Sequence, residues 1–487
     1  YEYLPEPNGQ QMTHSPTQQG IVPPVRYRFS FAIETARNLR KTNPALFYIL
    51  AFTVVTRIVI YITGQPWNED VITNTILDGD GLQYHEIAVG FLNGTPLSET
   101  NWATDRTLGY PYFVTAIYAI SNNSIWLVFA IQTLMNIAMV PMIYWVARRI
   151  FASNTVGLFA AGFYAISAIP AAWATRYLYT EALFTFVMMI FLIMMIQVWK
   201  RDSFKWFLLL GVLLGIGANV RSVLQFFVII PLVIIALQDR PIRNKILIAS
   251  AIIIGTMATM APGQIRNFKE YGHYSLSTIS GNVLFKHTVQ AKANAEGTDY
   301  FEARDNIGWQ QWVDYENPFD RSAAAKKVGI KYVTNNPKEF VILWVQGMTS
   351  FLIGTEKSSY LYVIFDQERP VIDRPNGYET FSQRIIRNLK STQKEYFLLP
   401  LFGIKFLFEY VAIALGLLLL IRRDQKLLAL FFVLGILYFI VATGPMGRAP
   451  RYKIPVIPIY AILGGGGLTM IWAYWNSWRN PGSHLPE

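Results

Sequence analysis

The sequence predicts an all-α polytopic membrane protein, and three observations carry that prediction. Of 487 residues, 53% are hydrophobic and only 15% are charged, against roughly a quarter charged in soluble domains. The apolar residues gather in blocks near the roughly 20 residues a helix needs to cross a hydrocarbon core. The basic residues of the short loops recur on alternate connections, as expected of cytosolic loops. Together these exclude a water-soluble enzyme, a collagen and a disordered chain. Because the sequence has no cysteine, disulfides, thiolate metal sites and cysteine nucleophiles are excluded as well. The formal charge of +11, from 42 Lys plus Arg against 31 Asp plus Glu, fits cytosolic loops. No basic stripe coincides with exposed aromatics, so nucleic acid is not an expected partner.

In chain order, residues 1–43 are polar and proline-bearing and lack the apolar core of a signal peptide. They read as a cytosolic tail, with Met12 suggesting extra leader residues before it, and the first apolar block reads as a retained anchor. Ten spans are expected, at 44–63, 125–147, 155–170, 181–199, 206–220, 222–238, 246–262, 397–421, 427–443 and 454–475. The clearest is 125–147, which holds no charged side chain. Arg148 and Arg149, Lys200, Arg201 and Lys205, Arg240, Arg243 and Lys245, and Arg422, Arg423 and Lys426 then share the cytosolic side with both termini. The outer side receives 64–124, 171–180, 263–396 and 444–453. This gives a membrane module over 44–262 with its first outer loop at 64–124. An outer segment over 263–396, C-terminal spans over 397–475 and a cytosolic tail over 476–487 follow.

Two outer stretches are too short to span and read as helices lying along the membrane. In 81–93, Tyr84, Ile87, Ala88 and Phe91 recur at i, i+3, i+4 and i+7, giving one apolar face. The run 110–120 is the second, since counting it as a span would put Arg148 and Arg149 outside. Within 263–396, Asp320 is expected to cap a helix through Tyr332 that Asn335-Asn336-Pro337 ends. A further interfacial or re-entrant helix is expected over 340–353.

Asp78 and Asp80 stand just before the first interfacial helix, followed by Tyr84 and His85. Asp80 reads either as a helix cap or as a general base at the bilayer edge. Glu181 opens a span, where a carboxylate also suits the helix dipole. Arg448, Arg451 and Lys453 lie on the outer side against the charge bias of every other short loop, which calls for an anion such as a lipid phosphate. Arg221 suits either a phosphate or a structural partner, and Arg57, inside a span, suits a structural ion pair. Lys405 and Glu409 are spaced to pair on one helix. His85 and Glu86 beside Asp78 and Asp80 have donors suited to a divalent ion, but no closed ligand set has metal spacing, so no metal is required. Trp126, Trp173, Trp206 and Trp475 read as interfacial anchors. There is no Walker-type phosphate loop.

The stretch Asp80-Gly-Leu-Gln-Tyr-His-Glu-Ile-Ala88 resembles the first outer loop of the GT-C membrane glycosyltransferases. The similarity is greatest to the branch of protein O-mannosyltransferases and aminoarabinose transferases. The place after the first acidic residue, often a second acid in that branch, is Gly81 here. Further resemblances follow in order. They are Arg106-Thr-Leu-Gly-Tyr110-Pro111, Tyr179-Thr180-Glu181, Pro262-Gly-Gln-Ile-Arg266-Asn267 with Leu276-Ser-Thr278, and Arg451-Tyr452-Lys453-Ile-Pro455 with Pro458. The resemblance implies a GT-C-like fold and an inverting transfer of one sugar from a polyprenyl-phosphate carrier to an acceptor hydroxyl on the outer face of the plasma (inner) membrane. The acceptor would be a lipid, glycan or protein. Asp80 would take the acceptor proton and Glu181 would assist. Arg106, Arg266, Arg448 and Arg451 would stabilise phosphate charge, with Tyr110, Arg221, Asn267, Tyr452 and Lys453 lining the site. No cofactor is implied. The alternative readings are a transporter or flippase, or a polymerase, of lipid-linked saccharides.

Overall fold

The computed structural model describes residues 37–100, 102–353, 399–444 and 450–479. Residues Ile49–Glu487 form one compact unit and Tyr1–Tyr48 another. Among the described residues every regular element is helical. The helices are α1 Pro44–Thr63, α2 Asp80–Leu92, α3 Gly109–Ser121, α4 Ile125–Phe151, α5 Asn154–Ala165 and α6 Ala168–Arg176. They continue as α7 Glu181–Val198, α8 Phe204–Val220, α9 Ile229–Leu237, α10 Ile242–Tyr271, α11 Ile279–Glu296, α12 Tyr300–Asn306 and α13 Pro318–Asn335. The last are α14 Pro337–Ile353, α15 Leu399–Arg422, α16 Lys426–Thr443 and α17 Ile457–Arg479.

Seven of these elements are long and apolar enough to cross a membrane, or eight if the bent pair α5–α6 counts as one span. Ten were expected. The difference lies at 206–220 and 222–238: α8 is 17 residues, and the second block breaks into a 3₁₀ turn at Ser222–Phe226 before α9. The pair α5–α6 is bent by 52°, and α6 carries helix into 171–176, where an outer loop was expected. Arg57 fills the break between the two helices. Its Nη1 donates to the Ala165 carbonyl at 2.6 Å, Nη2 reaches the Tyr164 and Ser167 carbonyls at 3.4 and 3.5 Å, and Nε donates to Asn136 Oδ1 at 3.1 Å. Helix-end carbonyls thus receive the buried cation where an ion pair was expected.

The body is held by close helix approaches at glycines. In the α8–α10 seam, a Cβ on Gly211 would overlap the Ile252 carbonyl, and one on Gly255 the Leu208 carbonyl. On α17, Gly465 lies against the backbone of α5 and Gly467 against Ala412 of α15. Without a hydrophobic drive between helices in lipid, such close approach lets van der Waals packing hold the helices together. The expected pair Lys405–Glu409 forms on α15 at 2.8 Å.

The two short helices form where expected: α2 buries Tyr84, Ile87 and Ala88 but leaves Phe91 half-buried, and α3 buries Tyr110, Val114 and Tyr118. Helix α10 does not stop at Pro262. It runs nine residues further to Tyr271 and ends on Gly272 at φ 77°, which places Arg266 and Asn267 on a helix. The cap of α13 is Asn317, whose side chain accepts from the Phe319 N–H at 3.0 Å. Asp320, the expected cap, instead lies in the first turn and pairs with His273 Nε2 at 2.7 Å. The helix expected over 340–353 begins earlier, at Pro337.

Candidate active site

Five separate stretches converge at one end of the helix bundle: the start of α2, the turn before α3, the start of α7, the end of α8 and the 3₁₀ turn Pro450–Val456. The opposite ends carry the basic loops, where Gln425 Nε2 donates to the Ile150 carbonyl at 3.0 Å and Arg240 to the Arg201 carbonyl at 2.7 Å. Buried bonds fix the converging pieces. Thr107 Oγ1 donates to the Val220 carbonyl at 3.1 Å, and Gly109 lies against the Asn219 carbonyl so closely that a Cβ would clash. Gln132 Nε2 holds the Ala174 and Tyr177 carbonyls at 3.2 Å.

At the centre is Asp80, the first residue of α2. Its N-cap is Gly79, at φ 56° and without a side-chain cap bond, so the carboxylate is free for other partners. Asp80 Oδ1 accepts from Arg106 Nη2 at 2.5 Å, and Oδ2 accepts from Arg451 Nη2 at 3.0 Å. Arg106 Nε donates to Gln83 Oε1 at 2.7 Å, and its guanidinium lies 5.4 Å from the Tyr84 ring centre. Glu181, only 2% exposed, accepts from Arg221 Nη1 at 3.1 Å and lies 4.0 Å from Arg451 Nε. Tyr452 ties the halves together: its hydroxyl is 3.3 Å from Arg451 Nη2, and its ring is faced by Arg221 at 5.8 Å.

The electrostatics follow from the charge count. Three guanidinium groups face two carboxylates, leaving one positive charge in excess. Both carboxylates also sit at helix N-termini, whose dipoles favour anions. Burial alone would raise the pKa of Asp80. The charges of Arg106 and Arg451 and their hydrogen bonds outweigh it, and the carboxyl is held below its usual range. Burial pushes the Tyr84 phenol up, keeping it neutral as a ring under Arg106.

The sequence placed Asp80, Arg106, Glu181, Arg221, Arg451 and Tyr452 in one site, and the structure brings them together. Tyr84 and Tyr110 form the layer behind, with ring centres 4.9 Å apart, and the Tyr110 hydroxyl donates to Gln132 at 2.8 Å. Other candidates are seen on other partners. His85 Nδ1 is 3.0 Å from the Tyr118 hydroxyl, and burial, opposed by Glu86, pushes its pKa down, so at neutral pH it is not a cation for phosphate. Asp78 enters the turn through its carbonyl, which accepts from the Gly81 N–H at 3.1 Å. Arg266 bonds Asn267 Oδ1 at 2.7 Å, and Asn267 Nδ2 donates to the Ser275 carbonyl at 2.6 Å. This pair locks the end of α10, beside an open groove lined by Pro262, Ile265 and Lys269. Buried Lys453 donates to the Leu352 carbonyl at 3.1 Å. Arg448 lies outside the described residues. No group of three or more metal-ligating side chains occurs among the described residues.

Sequence reasoning missed three residues. Gln83 carried no signal beyond its i+3 spacing from Asp80. Trp173, read as an interfacial anchor, lies 5.6 Å under Arg451, and Tyr179 lies 5.0 Å from the same guanidinium. Trp173 stacks on Tyr177 with ring centres 4.2 Å apart, so the three rings form one aromatic wall. Their signal was the density of aromatics in 173–179, next to Glu181.

Residues 105–262 match the family described as dolichyl-phosphate-mannose-protein mannosyltransferase. This segment contains Arg106, Glu181 and Arg221 but neither Asp80 nor Arg451. Comparison with curated proteins finds none that matches. Among solved structures, the oligosaccharyltransferase of Archaeoglobus fulgidus tethered with an acceptor peptide superposes with a TM-score of 0.50 at 11% identity. The superposition covers 91% of this chain and 52% of that one. The same organism's AglB, in complex with an inhibitory peptide and a dolichol-phosphate, gives 0.47 at 13% identity, over 92% and 53%. ArnT from Cupriavidus metallidurans bound to undecaprenyl phosphate gives 0.35 at 13%, over 88% and 79%. The chain spans about half the length of the archaeal enzymes. The chain thus shares its fold with part of the archaeal oligosaccharyltransferase, and its 105–262 segment matches the pattern of the mannosyltransferase family model.

Proposed function

We propose that this chain is an inverting membrane glycosyltransferase. It moves one sugar from a polyprenyl-phosphate carrier to an acceptor hydroxyl at the extracytoplasmic face, with both termini in the cytosol. The observation that carries the reading is Asp80 held between Arg106 and Arg451, at 2.5 and 3.0 Å: one carboxylate beside two cations at the mouth of an apolar helix bundle. A carrier phosphate offers guanidinium groups the same geometry as a carboxylate. When phosphate engages Arg106 and Arg451, it competes with Asp80 for their N–H groups and frees that carboxylate. Asp80 then accepts the proton of the acceptor hydroxyl as its oxygen bonds to the anomeric carbon. The bond from that carbon to the phosphate oxygen breaks, and the carrier phosphate leaves with the electron pair, its charge met by the arginines. Attack opposite the leaving group inverts the anomeric configuration. Glu181 keeps Arg221 and Arg451 in position.

Gathering of the charges at one end of the bundle favours an enzyme over a transporter, whose ionisable groups commonly sit near the bilayer midplane. Asp80→Asn is the test: reconstituted with polyprenyl-phosphate sugars, the variant loses transfer while still folding and retaining the carrier. Transfer at the wild-type rate would discard Asp80 as base. The proposal assigns no metal to the reaction, so chelation leaves transfer unchanged. A loss restored by one divalent ion would place a metal in the site.

A further inference from the structure

Within the site, the one side-chain hydrogen bond that Gln83 makes among the described residues is to Arg106. Asp80 and Gln83 lie three apart on α2 and so on one face. Both accept from Arg106, through Nη2 at 2.5 Å and Nε at 2.7 Å. A guanidinium only donates, so the amide must present its oxygen to Arg106. The two acceptors grip adjacent corners of the fork while Tyr84 supports its face at 5.4 Å. They differ in charge: Asp80 neutralises Arg106, whereas Gln83 orients it and leaves its positive charge intact.

Resting on the function proposed above, we infer that Gln83 is the positioning residue for the donor phosphate. It keeps Arg106 aimed into the cleft at the moment Asp80 releases it to the anion. The residue type follows from the chemistry. A carboxylate at this place would compensate the cation permanently, and an apolar side chain would leave Nε without an acceptor in a half-buried setting. With Gln83 in place, Arg106 exchanges one anion for another without losing its orientation.

The test uses the full chain in proteoliposomes with a polyprenyl-phosphate sugar that the wild type accepts, comparing Gln83→Leu, Gln83→Glu and Gln83→Asn. Both Gln83→Leu and Gln83→Glu should raise the donor KM about tenfold or more, the scale of losing one charge-assisted hydrogen bond or one unit of favourable charge. The acceptor KM should not change. Gln83→Asn, which keeps the amide on a shorter arm, should recover part of the loss. A second readout separates positioning from mere packing. The groups around Asp80 are Arg106 of the turn before α3 and Arg451 and Tyr452 of the 3₁₀ turn. Glu181 of α7 and Arg221 at the end of α8 stand behind them, with the Tyr84 and Tyr179 rings alongside. If Gln83→Leu lets Arg106 swing out, one of the two cations holding the Asp80 carboxyl low is lost. The acid limb of kcat/KM then moves to higher pH, a shift that loss of packing alone does not produce. Unchanged donor KM and acid limb in Gln83→Leu, in a wild-type background that is active, would overturn the inference and leave the proposed function standing. A wild type inactive with every polyprenyl-phosphate sugar would instead remove the function on which the inference rests. Equal losses toward donor and acceptor in all three variants would mean a structural role and would also overturn it.

Discussion

Asp80 and Glu181 are both carboxylates at helix N-termini, yet their surroundings set them different tasks. Asp80 is partly open to the cleft and has two exchangeable arginine partners, whereas Glu181 is buried with Arg221 at 3.1 Å. Arg221→Ala therefore leaves a buried carboxylate with only the Thr180 hydroxyl at 3.4 Å and the more distant Arg451 among the described residues. It should cost about 3–5 kcal/mol, the range for breaking a buried pair from one side, read as a lowered unfolding temperature in detergent. Arg451→Ala should act on the donor, raising its KM, and unchanged donor affinity would remove Arg451 from the phosphate site. The pH dependence has a definite sign. A carboxyl held below its usual value stays ionised as pH falls and protonates only beneath its unfolded value of about 3.9. The contribution of Asp80 to stability is thus present above about pH 4 and is lost as pH drops through its lower folded value. For the same reason kcat/KM should show no acid limb between about pH 5 and 8, and a limb near pH 6 would refute Asp80 as the titrating group.

Gly81 shows how an element constrains its chemistry. It stands where a second acidic residue is frequent in the branch that the first outer loop resembles. A Cβ there would overlap the Ile76 carbonyl at the end of the π-helical turn Ile72–Ile76. This backbone has no room for any side chain, so a paired carboxylate is excluded on steric grounds. Gly81→Asp should therefore lose transfer and stability together, measured by activity and thermal unfolding, although it restores the acidic pair. Helix limits in the sequence were clear where composition changed sharply: α1 is observed at its expected bounds, and α7 and α16 are within one residue. They were obscure where a proline sat inside a continuing helix. Pro262 reads as a stop, yet α10 passes it, because an exposed helix face tolerates the missing N–H when neighbouring turns hold. The partner of the carbonyls freed at the 166–167 break was illegible for a related reason, since Arg57 lies more than 100 residues earlier in the chain.

At the scale of the molecule, the site exists because chain segments from 80 to 451 end at one height of the bundle. The basic loops lie at the other end, which predicts the orientation. The natural absence of cysteine permits a direct measurement. Ser98→Cys, exposed near the site end, should react with an impermeant maleimide from outside the cell, and Lys200→Cys only after permeabilisation. The reverse pattern would place the site on the cytosolic side and end the proposed function.

The sequence by itself determined the membrane class, the two short helices α2 and α3, the expected orientation and the charged residues worth attention. Composition, periodicity and loop charge are local quantities that burial in lipid selects directly. Only the tertiary structure decided which of those charges meet. It joined Asp80 to Arg451 across 371 positions, drew Gln83, Trp173 and Tyr179 into the site, and left His85, Arg266 and Lys453 on other partners. Such pairing depends on the relative height and rotation of helices fixed by glycine-mediated packing, which no single segment of sequence encodes.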